Sequence, residues 1–138
     1  MIQCVLASHG NYAREALNSA KMICGLSTEN VHILSIQEGG EGIAKFEKDA
    51  TALAEKLIDA PVLIMTDLFG GSPFMTLLSS FRNNDYKCIA GFNLPMLIEL
   101  LQSEGIDLAE TAQTVLETGR DVSIRLIDKI IVEDEEND

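Results

Sequence analysis

Short apolar runs alternate with longer stretches of helical periodicity along the chain. Ile2–Ser8 (IQCVLAS) is a brief, mostly apolar run suited to a buried strand. From Asn11 to Cys24, the residues Tyr12, Ala13, Ala16, Leu17, Ala20, Ile23 and Cys24 recur at helical spacing, and Gly25 supplies the stop. Val31–Ile36 is a second strand, ended by Gly39-Gly40. A second helix is predicted from Glu41 to Ile58, with Ile43, Phe46, Ala50, Leu53, Ala54 and Leu57 on one face and an i,i+4 pair, Glu41 and Lys45, opposite. Pro61 opens a third strand through Thr66, followed by the glycine-rich turn Asp67–Pro73 (DLFGGSP). A helix over Pro73–Arg82 leads to a fourth strand at Tyr86–Phe92. Asn93-Leu94-Pro95 starts another helix, and Asp107–Thr118 forms a further one stopped by Gly119. Val122–Ile127 alternates as a fifth strand would, without an evident partner.

Repeated strand–helix units with near-continuous apolar strands imply an open α/β domain, a parallel sheet covered by helices on both faces. The 138 residues set the scale at one domain, read as residues 1–127 followed by an acidic tail over 128–138. With 46% hydrophobic residues the chain is too apolar for a disordered acidic polymer. Its 22 acids against 10 bases give a net charge of −12, which argues against nucleic acid and against anionic membrane surfaces as partners. Five of those acids fall in the last six residues, a solvated end of the chain. Cys4, Cys24 and Cys88 lie far apart with no metal-binding spacing, and no apolar run approaches about 18 residues. These features predict a cytoplasmic protein with no membrane insertion, no metal and no cofactor.

In such sheets, ligands bind beyond the carboxyl ends of the strands, where the strand order reverses. Strand one ends in Ser8-His9-Gly10, strand three in Asp67 and its glycine turn, and strand four in Asn93-Leu94-Pro95. With the order 2-1-3-4, strands one and three are neighbours and His9 emerges beside Asp67. A carboxylate that accepts a hydrogen bond from the N–H of one ring nitrogen fixes the tautomer and leaves the other nitrogen free as a nucleophile. Attack on phosphorus by that nitrogen gives a phosphohistidine. A histidine at a strand end also serves as a surface or hydrogen-bonded structural residue, and both readings stand on residue type alone. Gly70-Gly71-Ser72-Pro73 places Ser72 as an N-cap and Pro73 as the first helical residue, with free amides that suit phosphoryl oxygens. The same residues also read simply as a tight turn before a helix. His32, inside strand two, reads as structural, and Arg120 has no assigned role. No dinucleotide or nucleoside-triphosphate glycine motif and no nucleophile elbow is present.

The order and spacing of these pieces resemble the IIA domains of the mannose/fructose/sorbose class of the bacterial sugar phosphotransferase system. The resemblance rests on Ser8-His9-Gly10, Thr66–Phe74 (TDLFGGSPF), Ala90–Leu97 (AGFNLPML) and Glu117–Arg120 (ETGR), and covers roughly residues 1–127. It implies a phosphotransferase in which His9 accepts a phosphoryl group from the phosphocarrier protein HPr and passes it to a IIB component. Asp67 would orient the ring, and Gly70, Gly71 and Ser72 would hold the phosphoryl oxygens. It also implies a parallel 2-1-3-4 sheet with a fifth, antiparallel strand exchanged between the subunits of a homodimer, which would house Val122–Ile127. Leu68 and Phe69 depart from relatives that carry a small hydroxyl or a Trp there. IIB is expected as a separate polypeptide, with the membrane components IIC and IID engaged only indirectly. The alternatives are a IIA-like subunit of dihydroxyacetone kinase, in which Ser rather than Gly tends to follow the histidine, and a non-catalytic regulatory module of the same fold.

Overall fold

The computed structural model describes residues 1–122 and 124–128. Strand β1 (Gln3–His9), helix α1 (Tyr12–Cys24), β2 (Val31–Ile36), α2 (Gly39–Lys56), β3 (Val62–Thr66), α3 (Ser72–Ser80), β4 (Tyr86–Ala90), α4 (Leu94–Gln102) and α5 (Leu108–Glu117) follow in order, and a π-helical turn spans Thr118–Val122. The strands form one parallel sheet in the order β2-β1-β3-β4. The domain is therefore an open, doubly wound α/β sheet.

Strand alternation divides the core into two layers. Cys4 and Leu6 of β1, with Leu63 and Met65 of β3, face α1, α4 and α5. Val5, Ala7, Val62 and Ile64 face α2 and α3, where Phe46, Leu77 and Phe81 pack against them. All five residues of β3 are buried, as are the inner five of β1, whereas β2 and β4 at the edges are only half-buried. The continuous apolar runs in the sequence thus belong to the two central strands, covered on both sides.

The chain departs from the pattern-based reading at several element ends. Strand β4 stops at Ala90 rather than Phe92, because Gly91 and Phe92 turn back and donate their amides to the Thr66 carbonyl at 2.8 and 3.2 Å. Helix α2 begins at Gly39, and Lys45 pairs with Asp49 rather than with Glu41. Gly119 does not stop the helix before it. It lies inside the π turn, with Met96 packed where a side chain would project and its carbonyl accepting from Asn93 Nδ2 at 3.2 Å. Among the described residues, the fifth strand expected over Val122–Ile127 is not formed. Val122 closes the π turn, Ser123 lies outside the described residues, and Ile124, Leu126 and Ile127 are exposed without strand pairing. Among the described residues, β4 is an edge strand that pairs only with β3.

The glycine-rich start of α2 separates packing from propensity. A Cβ on Gly42 would meet the Gln37 carbonyl oxygen at 2.2 Å, whereas one on Gly40 would meet nothing within 4 Å. Gly42→Ala is expected to destabilise by about 1–3 kcal/mol through overpacking against rigid backbone. Gly40→Ala should be neutral or stabilise by up to about 1 kcal/mol, because alanine is the better helix former. Urea denaturation of the two variants measures both effects.

Candidate active site

The parallel register of β1 with β3 pairs Ala7 with Thr66, so Ser8, still paired with Ser35 of β2, and Asp67, the first residue past β3, stand at the same level. The Asp67 amide extends the ladder by donating to the Ala7 carbonyl at 3.2 Å. His9 follows at once, and Gly10 turns the chain into α1 at φ +54°, a left-handed conformation that suits glycine. The Gly10 amide donates to the Ile36 carbonyl at 2.8 Å, which ties this turn to β2.

The Asp67 carboxylate holds the turn around itself. Its Oδ2 accepts the His9 backbone amide at 2.9 Å and faces His9 Nδ1 at 2.8 Å, while Oδ1 accepts the Leu68 amide at 3.0 Å. The Asp67 side chain is only 12% exposed, but the His9 side chain is 51% exposed. With Nδ1 engaged, Nε2 is the ring nitrogen left to react. Burial raises the Asp67 pKa, and the His9 amide, ring and charge, together with its own backbone amide, more than offset this and hold it below the ordinary carboxylate value.

The glycine turn lies against the ring. A Cβ on Gly71 would stand 3.2 Å from His9 Cε1, tight enough that the ring would have to shift by a few tenths of an ångström. Gly70, at φ +78°, turns the chain into that approach. Gly71 rather than Ser72 occupies the N-cap of α3, in extended conformation (φ −72°, ψ 171°), and Ser72 is the first helical residue, with no side chain capping this start. The sequence-based placement of Ser72 as the cap is thereby corrected by one residue. His9, Gly10, Ser72 and the Gln37-Glu38-Gly39 loop line a cleft of about 540 Å³. The structure thus brings His9, Asp67, Gly71 and Ser72 together, with Gly70 in the turn that joins them.

Around this cleft, Leu68 (59%) and Phe69 (83%) are exposed apolar side chains, and Phe69 packs on Phe74 with ring centroids 5.1 Å apart. The turn after β4 joins the site through Tyr12, whose ring lies 5.5 Å from that of Phe92. His32 sits apart on β2, its Nε2 2.9 Å from Gln3 Oε1, and burial, then the Lys56 charge, lowers its pKa. Burial pushes the Cys4 thiol up and that of Cys88 to about 11, so neither is a thiolate at neutral pH. Arg120 is exposed in the π turn. The Gln37-Glu38-Gly39 loop as one wall of the cleft, and the buried hydroxyls beneath the histidine and aspartate, had no signal in the residue pattern beyond glycines and isolated hydroxyls.

The model of the PTS system fructose IIA component family matches residues 3–117. The chain belongs to this IIA family. It is 33% identical over 123 residues to the mannose-specific EIIAB component of Escherichia coli K12, covering 87% of this chain and 38% of that relative. It thus spans about two fifths of the length of that relative. It is also 33% identical over 104 residues to the fructose-specific EIIA component of Bacillus subtilis, covering 73% of this chain and 69% of the relative. Among solved structures, the mannose/sorbose specific IIA subunit from Enterococcus faecalis superposes with a TM-score of 0.83 at 25% identity, covering 94% of this chain and 98% of that one. No described helix of the IIA chain is long and apolar enough to cross a membrane.

The depressed Asp67 pKa fixes the sign of a stability effect. A carboxyl whose folded pKa lies below its unfolded value, about 3.9, adds stability that is fully present above that value and is lost as pH falls through the folded pKa. The stability difference between wild type and Asp67→Asn should therefore be constant from neutral pH down to about 5 and shrink below about 4. Urea unfolding of both proteins across this range checks it.

Proposed function

We infer that this chain is the phosphocarrier that takes a phosphoryl group from phospho-HPr and hands it to a IIB component during sugar uptake. The observation that carries this reading is the 2.8 Å contact between His9 Nδ1 and Asp67 Oδ2, beside a half-exposed ring that opens on a cleft. Nε2 of His9 attacks the phosphorus of the donor's phosphohistidine. The new P–N bond forms as the donor's P–N bond breaks, and the donor imidazole leaves with its electron pair. The ring of His9 gains positive charge in this step, and the Asp67 carboxylate stabilises it. Ser72 and the backbone of Gly70 and Gly71 at the start of α3 steady the phosphoryl oxygens, with the positive end of the helix dipole behind them. Transfer to IIB reverses the chemistry on a second partner.

The exposed apolar Leu68 and Phe69 beside the histidine support a protein surface, rather than a small molecule, as what meets this site. The reading places the chain in the cytoplasm, with IIB on a separate polypeptide and IIC and IID reached only through it. It further assigns residues 1–127 as the IIA domain and the Val122–Ile127 segment as the strand exchanged in a homodimer. Gly10 after the histidine favours a sugar system over the dihydroxyacetone kinase subunit.

Incubation with HPr phosphorylated from labelled phosphoenolpyruvate and its enzyme tests the function. Wild type should take up label and lose it to IIB, whereas His9→Ala should take up none. Asp67→Asn should remain folded and transfer about 10²- to 10⁴-fold more slowly, through loss of tautomer control and charge stabilisation. A His9→Ala variant that is labelled as fast as wild type would overturn the assignment.

A further inference from the structure

Two buried hydroxyls immediately precede the two members of the histidine–aspartate pair. Ser8 and Thr66 are both fully buried, at 0% exposure. Alternation turns Ser8 to the side of Cys4 and Leu6, beneath α1, and turns Thr66 to the side of Val62 and Ile64, beneath α3. The two hydroxyls therefore reach the site from opposite faces of the sheet.

Each one spans the reactive residue that follows it. Ser8 Oγ donates to the Gly10 carbonyl, 3.4 Å away, and Thr66 Oγ1 donates to the Leu68 carbonyl at 3.3 Å. In both cases the acceptor is two residues further on, so His9 and Asp67 are each enclosed in a short hydroxyl-closed loop. Ser8 has a second bond: its Oγ accepts the buried Ala13 amide at 2.8 Å. Asn11, at the N-cap of α1, makes no side-chain cap bond, so the first turn of that helix is satisfied from the preceding strand instead. Gly10 is thus fixed twice, its amide by the Ile36 carbonyl and its own carbonyl by Ser8. Thr66 is fixed likewise, since its carbonyl accepts the Gly91 and Phe92 amides.

Packing alone does not call for these hydroxyls. Ser8 closes a mostly apolar run and Thr66 ends the run VLIM, where Ala and Val would fill similar space. A hydroxyl buried in such a place is costly unless it is bonded, and here the bonds made are to the backbone that carries His9 and Asp67.

We propose that Ser8 and Thr66 are positioning residues that hold the His9 ring and the Asp67 carboxylate in register, and thereby keep the proton on Nδ1. The consequence for rate rests on the phosphocarrier reading, but the ring's tautomer can be read in the protein alone. The test is nitrogen-15 NMR of the His9 ring in alkaline buffer, alongside the rate of transfer from phospho-HPr. Wild type should give one tautomer, protonated on Nδ1. Ser8→Ala and Thr66→Val should give mixed tautomers and transfer about tenfold slower, as expected for a small misplacement of the reacting ring. Thr66→Ser, which keeps the hydroxyl, should restore both. Ser19→Gly, on the exposed side of α1, weakens the same helix away from the site and should leave the tautomer and rate unchanged. Wild-type ring signals and rates in both Ser8→Ala and Thr66→Val would overturn the proposal, as would equal changes in Ser19→Gly. If Ser8→Ala fails to fold, Thr66→Val, which keeps the side-chain shape, decides. Absence of label on wild-type His9 would instead remove the phosphocarrier reading while leaving the tautomer result to judge the positioning role.

Discussion

The hydrogen bonds gathered by the Asp67 carboxylate govern the rest of this site. One oxygen holds both the backbone amide and the ring Nδ1 of His9, and the other holds the amide of Leu68. The same group therefore fixes where the end of β1 sits, how the glycine turn leaves β3, and which ring nitrogen faces the cleft. A carboxylate can do this only while ionised, and its donors keep it so despite partial burial. Replacing it with an amide would preserve the shape but remove the charge that, on the phosphocarrier proposal, balances a phosphorylated ring.

This arrangement depends on the sheet order. Because β1 and β3 are adjacent and parallel, residues separated by 58 positions in the chain emerge side by side. The buried central strands make that level rigid: their residues pack on both faces, between α1, α4 and α5 on one side and α2 and α3 on the other. The loops above are short and braced by Phe92 on Tyr12 and by Phe74 on Phe69. A firm platform with an exposed histidine and apolar collar suits the proposed carrier, which would meet successive protein partners through one face.

Much of this was legible in the sequence, and the gaps have physical causes. The apolar runs of β1 and β3 stand out because both faces are covered, and glycines and prolines punctuate the turns between elements. His9 and Asp67 could be placed at strand ends, but their adjacency hung on the strand order, which periodicity does not encode. Ser72 reads as an N-cap but is the first helical residue, since Gly71, in extended conformation, serves as the N-cap of α3. Gly119 looked like a helix stop, yet the close packing of Met96 explains a glycine there without one. Val122–Ile127 alternates like a strand, but alternation says nothing about which chain supplies its partner. The roles of Ser8 and Thr66 were hidden because a hydroxyl at the end of an apolar run carries no mark of what it bonds.

The central claim is that Asp67 holds Nδ1 and so leaves Nε2 of His9 to carry the phosphoryl group. Phosphorus-31 and nitrogen-15 NMR of the protein phosphorylated through HPr measures this directly. The account predicts a single phosphohistidine, at His9, with the phosphorus coupled to Nε2. A phosphoryl group on Nδ1 of His9, or on any other residue, would contradict it.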